Sequence, residues 1–145
     1  MKWLYHDHKD FESAVYKCRV ACDIADWSLV QDVFAEMASN YKNHVRIEED
    51  VLFPAYDAHP GASSGPTASL EADHEQILHL MDHIAQGLAE NDRESLAENF
   101  SLLYRILRNH HEKEEEIFLP MASEALYSNK DAILAEMQSL AAKGD

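Results

Sequence analysis

An all-α fold, an up-down-up-down four-helix bundle with a short fifth helix at the C-terminal end, is predicted by three features of the sequence. Apolar residues recur at alternating three- and four-residue steps, three turn-forming breaks separate the runs, and a duplication repeats the pattern at a fixed offset. The 145 residues suit one domain, taken as 1–145.

The elements follow in order. Leu4, His8, Phe11, Val15, Cys18 and Cys22 step by four, three, four, three and four. Such steps keep one helix face toward a neighbour, whereas a strand would alternate with period two. The segment CDIADW at 22–27 ends this first helix. The second presents Val30, Phe34, Met37, Tyr41, His44, Glu48 and Val51. Pro54 should end or kink it, since proline lacks an N–H and its ring meets the carbonyl four residues back. A Gly/Pro loop, DAHPGASSGPT at 57–67, comes next. The third helix presents Leu70, His74, Ile77, Met81, Ile84 and Leu88 up to ENDR at 90–93. The fourth presents Leu96, Phe100, Leu103, Leu107, His110, Glu114 and Ile117, with Pro120 in the part of Pro54. A shorter amphipathic stretch at 131–140 is expected to cap the bundle.

The third and fourth stripes are the first and second displaced by 66 residues. YKNHVRIEEDVLFP at 41–54 aligns with LRNHHEKEEEIFLP at 107–120, identical at five of fourteen positions, and Asp7-His8 aligns with Asp73-His74. The repeat therefore pairs 1–56 with 67–122.

Composition narrows the partners. With 27 acids against 12 bases the net charge is −15, so a nucleic-acid backbone or an anionic membrane would repel the chain. Two cysteines make no disulfide scaffold, and a reducing compartment is expected. No run approaches the ~20 apolar residues of a membrane span, and the N-terminus turns polar before a signal-peptide core could form. The expected location is the cytoplasm.

Histidines within core stripes are the anomaly. In antiparallel neighbours, residues equally far from the connecting turn lie side by side. The midpoint of His8 and His44 falls at 26, that of His74 and His110 at 92, and that of His44 and His74 at 59, all inside breaks assigned from composition. Four histidines thus meet at one level. Glu48 and Glu114 follow a histidine by four residues, about 40° round the helix and one turn on, and share the space. Burying two carboxylates without cations costs several kcal/mol each. A metal pair supplies the charge, and histidine with carboxylate suits iron, zinc or manganese.

Other polar residues weigh less. His6 lies about 160° from His8, and His79 and His83 about 140° and 180° from His74, so all three face away. His111, about 100° from His110, is placed for contact with a ligand. Glu12 follows His8 by four, stands where Leu78 stands in the second repeat, and is the one further ligand the spacing allows. Glu49 and Glu115 are expected on the helix shoulder. Cys18 and Cys22, roughly 15–20 Å along the helix from His8, are expected as buried packing thiols. Phe34 and Phe100 are core by position.

The Asp-His opening the first helix, His-x-x-x-Glu before Leu-Phe-Pro, Asp-His opening the third helix and His-x-x-x-Glu before Phe-Leu-Pro together resemble the hemerythrin-like, HHE cation-binding family. The resemblance implies two iron ions in an oxo- or hydroxo-bridged centre, with His8, His44, His74 and His110 as terminal ligands and Glu48 and Glu114 as bridges. Zinc or manganese remains the alternative. The implied function is binding or sensing of oxygen, nitric oxide or peroxide, or iron handling, with a separate protein partner for signalling. An oxidase- or peroxidase-type enzyme is the competing function. Oxygen-carrying members bear a further histidine where this chain has Leu78. About ten of roughly twelve coordination positions would then be filled, which argues against reversible oxygen carriage.

Overall fold

The computed structural model describes residues 2–144, and no strand occurs among them. Helix α1 spans Lys2–Asp23. Helix α2 (Trp27–Ile47) runs on through a π turn (Glu48–Leu52) into a last α-helical turn (Phe53–Asp57). Helix α3 spans Pro66–Ala89. Helix α4 (Leu96–Lys113) likewise continues through a π turn (Glu114–Phe118) into Leu119–Ala125. A 3₁₀ turn (Tyr127–Asn129) leads to α5 (Lys130–Gly144), longer at both ends than the stretch predicted from amphipathicity. Helix α1 packs on α2 and α4, and α3 packs on α4 and α2, which closes the four-helix ring.

The repeat extends to backbone detail. Ala25 and Asn91 both adopt φ 56° just beyond a helix end. Their successors return to that helix, Asp26 N–H to the Ala21 carbonyl at 3.0 Å and Asp92 N–H to the Gly87 carbonyl at 2.9 Å. This is the bond pattern that satisfies terminal carbonyls when one residue turns left-handed. Asp26 also caps α2, its carboxylate accepting from Leu29 N–H at 3.3 Å.

The prolines are accommodated by the π turns. Phe53 N–H bonds back to the Glu48 carbonyl and Leu119 N–H to that of Glu114, each one residue further than in an α-helix. The wider turn falls just before the residue that has no N–H to offer. The helices then end at Asp57 and Ala125, within two turns of their prolines.

Two apolar clusters fill the bundle. One holds Phe11, Val15, Tyr41, Ile77, Met81, Phe100, Leu103 and Leu107, together with Phe34 and Cys18. The other holds Leu4, Ile47, Val51, Leu52, Phe53, Leu70, Phe118 and Met137. Helix α5 enters the second cluster through Met137, with Ile133 and Leu140 packed beside it. It covers the π turn of α2, which is why Val51 is buried. Ile117, its counterpart in α4, is 57% exposed, contrary to the stripe, because the second repeat has no such helix over it. Cys22 also departs from expectation, being half-buried, whereas Cys18 is fully buried with its thiol pushed up to about 12 by burial.

A buried histidine and carboxylate centre

Between the two clusters the six predicted residues converge. His8, His44, His74 and His110 enter from α1, α2, α3 and α4, and all four are buried. Glu48 and Glu114, the first residues of the two π turns, are fully enclosed. Glu48 Oε1 lies 3.1 Å from His44 Nε2 and 3.3 Å from His74 Nε2. Glu114 lies 3.1 Å from His110 Nε2 through Oε2 and 3.5 Å from His8 Nε2 through Oε1. Two tetrads result, His8–His44–Glu48–Glu114 and His74–His110–Glu48–Glu114, each with its donor atoms within 4.8 Å of one another. Both carboxylates belong to both tetrads.

Behind each histidine stands another carboxylate, always on the preceding helix of the ring. His8 Nδ1 meets Glu115 Oε1 at 3.1 Å across the α4–α1 seam. Asp7 Oδ2 lies 3.5 Å from His44 Nδ1 across α1–α2, an ionic contact longer than the other three. Glu49 Oε2 takes His74 Nδ1 at 2.9 Å across α2–α3, and Asp73 Oδ2 takes His110 Nδ1 at 3.0 Å across α3–α4. A carboxylate accepts only, so His8, His74 and His110 donate from Nδ1 and present Nε2 to the interior, while His44 has only the longer ionic contact behind it.

These residues fit a pair of cations. His8 Nε2, His44 Nε2, His74 Nε2 and both oxygens of Glu48 and of Glu114 are buried without a hydrogen-bond partner. Such groups are costly to bury unpaired, and the donor set of imidazole nitrogen and carboxylate oxygen is a borderline-to-hard one. Without a cation the charges lean on one another. Burial lowers the pKa of His44, but Glu48 and Asp7 outweigh it and hold the ring up at about 10. His8 and His74 are likewise raised, burial being overcome by Glu114 and by Glu48 respectively. Burial would raise Glu48, yet His44, Glu114 and His74 bring it well below the usual carboxylate range.

Comparison with protein-family models matches residues 1–122 to the hemerythrin HHE cation binding domain. The chain belongs to that family. No curated protein and no solved structure gives a match. The HHE match covers both repeats, and α5 lies beyond it.

Around the HHE centre the remaining polar residues sort by exposure. His6, His79 and His83 are exposed and take no part. Glu12 does not join either tetrad. Its Oε2 lies 2.9 Å from His111 Nδ1 and its Oε1 3.5 Å from Arg108 Nε. His111 is buried and stacks on His8 at 3.9 Å with an interplanar angle of 6°. Burial, with the neighbouring His8 and His110, lowers its pKa, so it is held neutral. In the other repeat this polar pair is replaced by Val45 and Leu78, so the two halves of the centre have unlike flanks.

The four outer carboxylates were not singled out by sequence reasoning, although Glu49 and Glu115 had been placed beside the centre. Their signal was the repeat itself: Asp7 pairs with Asp73 and Glu49 with Glu115 at the same offset as the histidines and glutamates of the centre. Asp73→Asn tests their role. The amide can donate to His110 Nδ1 and so favour the wrong tautomer. Metal affinity should fall about 10–100-fold, read by competition with a chelator of known affinity, while the metal-free fold persists. An unchanged affinity would make Asp73 a surface charge with no influence on the centre.

Proposed function

We propose that the chain is a non-haem di-iron protein that binds or senses a small oxidant or diatomic ligand, namely oxygen, nitric oxide or peroxide, or that handles iron. The observation that carries this is the sharing of Glu48 and Glu114 between the two His–His tetrads, an arrangement that serves two cations and is wasteful for one. Two iron ions held there would supply redox change and open positions for a small ligand. The protein's part is to fix four imidazoles by their outer carboxylates and to balance two buried charges against two cations. It also shields the centre between two apolar clusters. No helix among the described residues is long and apolar enough to cross a membrane.

Elemental analysis with an optical spectrum, recorded anaerobically and after air exposure, tests the reading. About two irons per chain with a charge-transfer band in air supports it. One colourless zinc would replace it with a structural centre.

The enzyme reading has one observation in its favour. Leu78, packed against the core beside the His74–His110 half, supplies no donor atom there. Sustained consumption of peroxide or oxygen with a reductant, abolished in His74→Ala, would favour catalysis over sensing.

A further inference from the structure

Directly beneath the four histidines lies a layer made by Phe11, Tyr41, Ile77 and Leu107, each three residues from its helix's histidine. Three are hydrocarbon. Tyr41 alone is polar, and the repeat places Leu107 opposite it. Its ring is 1% exposed, wedged edge-on against Phe11 at 5.1 Å and lying 6.2 Å from the ring of His44 and 6.5 Å from that of His74. Its hydroxyl is buried and has no hydrogen-bond partner. A buried tyrosine ordinarily finds one, because an unmet hydroxyl carries the full desolvation cost of the group. A phenylalanine would pack the same space without that cost.

We propose that the Tyr41 hydroxyl is the hydrogen-bond donor for a small anionic or oxygen-atom ligand bound in the metal centre. This rests on the metal reading given above. The ring borders a histidine of each half of the centre, lying near-parallel to His44 at 18° and near-perpendicular to His74 at 88°. A phenol hydroxyl can donate to a bound anion, which none of the three hydrocarbon residues of the layer can do.

Azide is a suitable probe, being a small anion with lone pairs at both ends. It is titrated optically into the iron-loaded wild type, Tyr41→Phe and Tyr56→Phe, with metal content measured on each sample and melting recorded on the chelated proteins. Tyr56 is the control, a buried tyrosine whose hydroxyl accepts from Ser63 N–H at 3.1 Å in the loop between α2 and α3. Tyr41→Phe should keep its two irons and bind azide about tenfold more weakly, the worth of one hydrogen bond to a charged acceptor. Its chelated form should melt no lower than wild type, since an unpaired buried hydroxyl has been removed. Tyr56→Phe should bind azide as wild type does. Equal azide affinity in Tyr41→Phe at full metal content would overturn the proposal and leave the hydroxyl a packing feature. Loss of metal in Tyr41→Phe would overturn it in a different way, making the residue a ligand. A wild type that does not take up two irons would remove the metal reading itself, and is recognised before any azide is added.

Discussion

Replacing Glu48 or Glu114 with alanine is expected to release both metal ions, lowering the content from about two per chain toward zero. Each carboxylate belongs to both tetrads, and each touches one histidine of either half, Glu48 touching His44 and His74, Glu114 touching His8 and His110. Truncating one removes a donor from both positions together. It also leaves a single carboxylate to balance two divalent ions in a buried space, where charge imbalance costs most. Glutamine at either position keeps the volume and one acceptor oxygen but not the charge, so Glu48→Gln should also bind weakly. His79→Ala and His83→Ala, on the exposed side of α3, should retain the full content. Elemental analysis after gel filtration reads all of these. A Glu48→Ala protein that keeps two ions would show that the carboxylates are not shared.

The second large effect is on stability, and its pH dependence has opposite signs with and without metal. In the metal-free protein His8, His44 and His74 have raised pKa values in the fold, His44 reaching about 10. A raised histidine stabilises fully below its unfolded value, near 6.5, and that contribution is lost as pH climbs through the folded value. Glu48 is lowered, so its contribution is present above its unfolded value near 4.5 and is lost as pH falls through the folded one. His111 works the other way, since burial holds it neutral and its contribution is lost as pH falls below its unfolded value near 6.5. The metal-free protein should therefore be most stable near about pH 6.5 and should melt progressively lower toward pH 9. Metal binding runs the other way, because it requires unprotonated Nε2 atoms and so competes with protons less as pH rises. The gap in melting temperature between loaded and chelated protein should widen from pH 6 to pH 9, reaching on the order of 10 °C or more. Differential scanning fluorimetry across that range measures it. Superimposable curves would mean an inert polar core.

Much of this centre was legible without coordinates. The alternating three- and four-residue steps put His8, His44, His74 and His110 on inward faces. The turns at 22–27, 57–67 and 90–93 put them at one level, and the four-residue spacing brought in Glu48 and Glu114. These inferences are secure because periodicity and turn position are local properties of the chain, and the repeat states them twice.

Contacts across helix seams were beyond that reach. Asp7, Asp73, Glu49 and Glu115 each serve a histidine on the next helix, at separations of 37, 37, 25 and 107 residues. Whether a carboxylate on a helix shoulder meets a ring nitrogen or water depends on the rotation of two helices to within a fraction of a turn. The π turns reset that rotation at Glu48 and Glu114. Glu12 illustrates the difficulty. Its spacing from His8 is that of a ligand, and only the packing of α4 against α1 turns it to His111. Burial of Val51 against exposure of Ile117 was likewise decided by where α5 came to rest. Sequence by itself determined which side chains face the interior and at what height. The tertiary structure decided which of the neighbours at that height touch, because side-chain contact across a seam is set by the packing of whole helices and not by the spacing along either one.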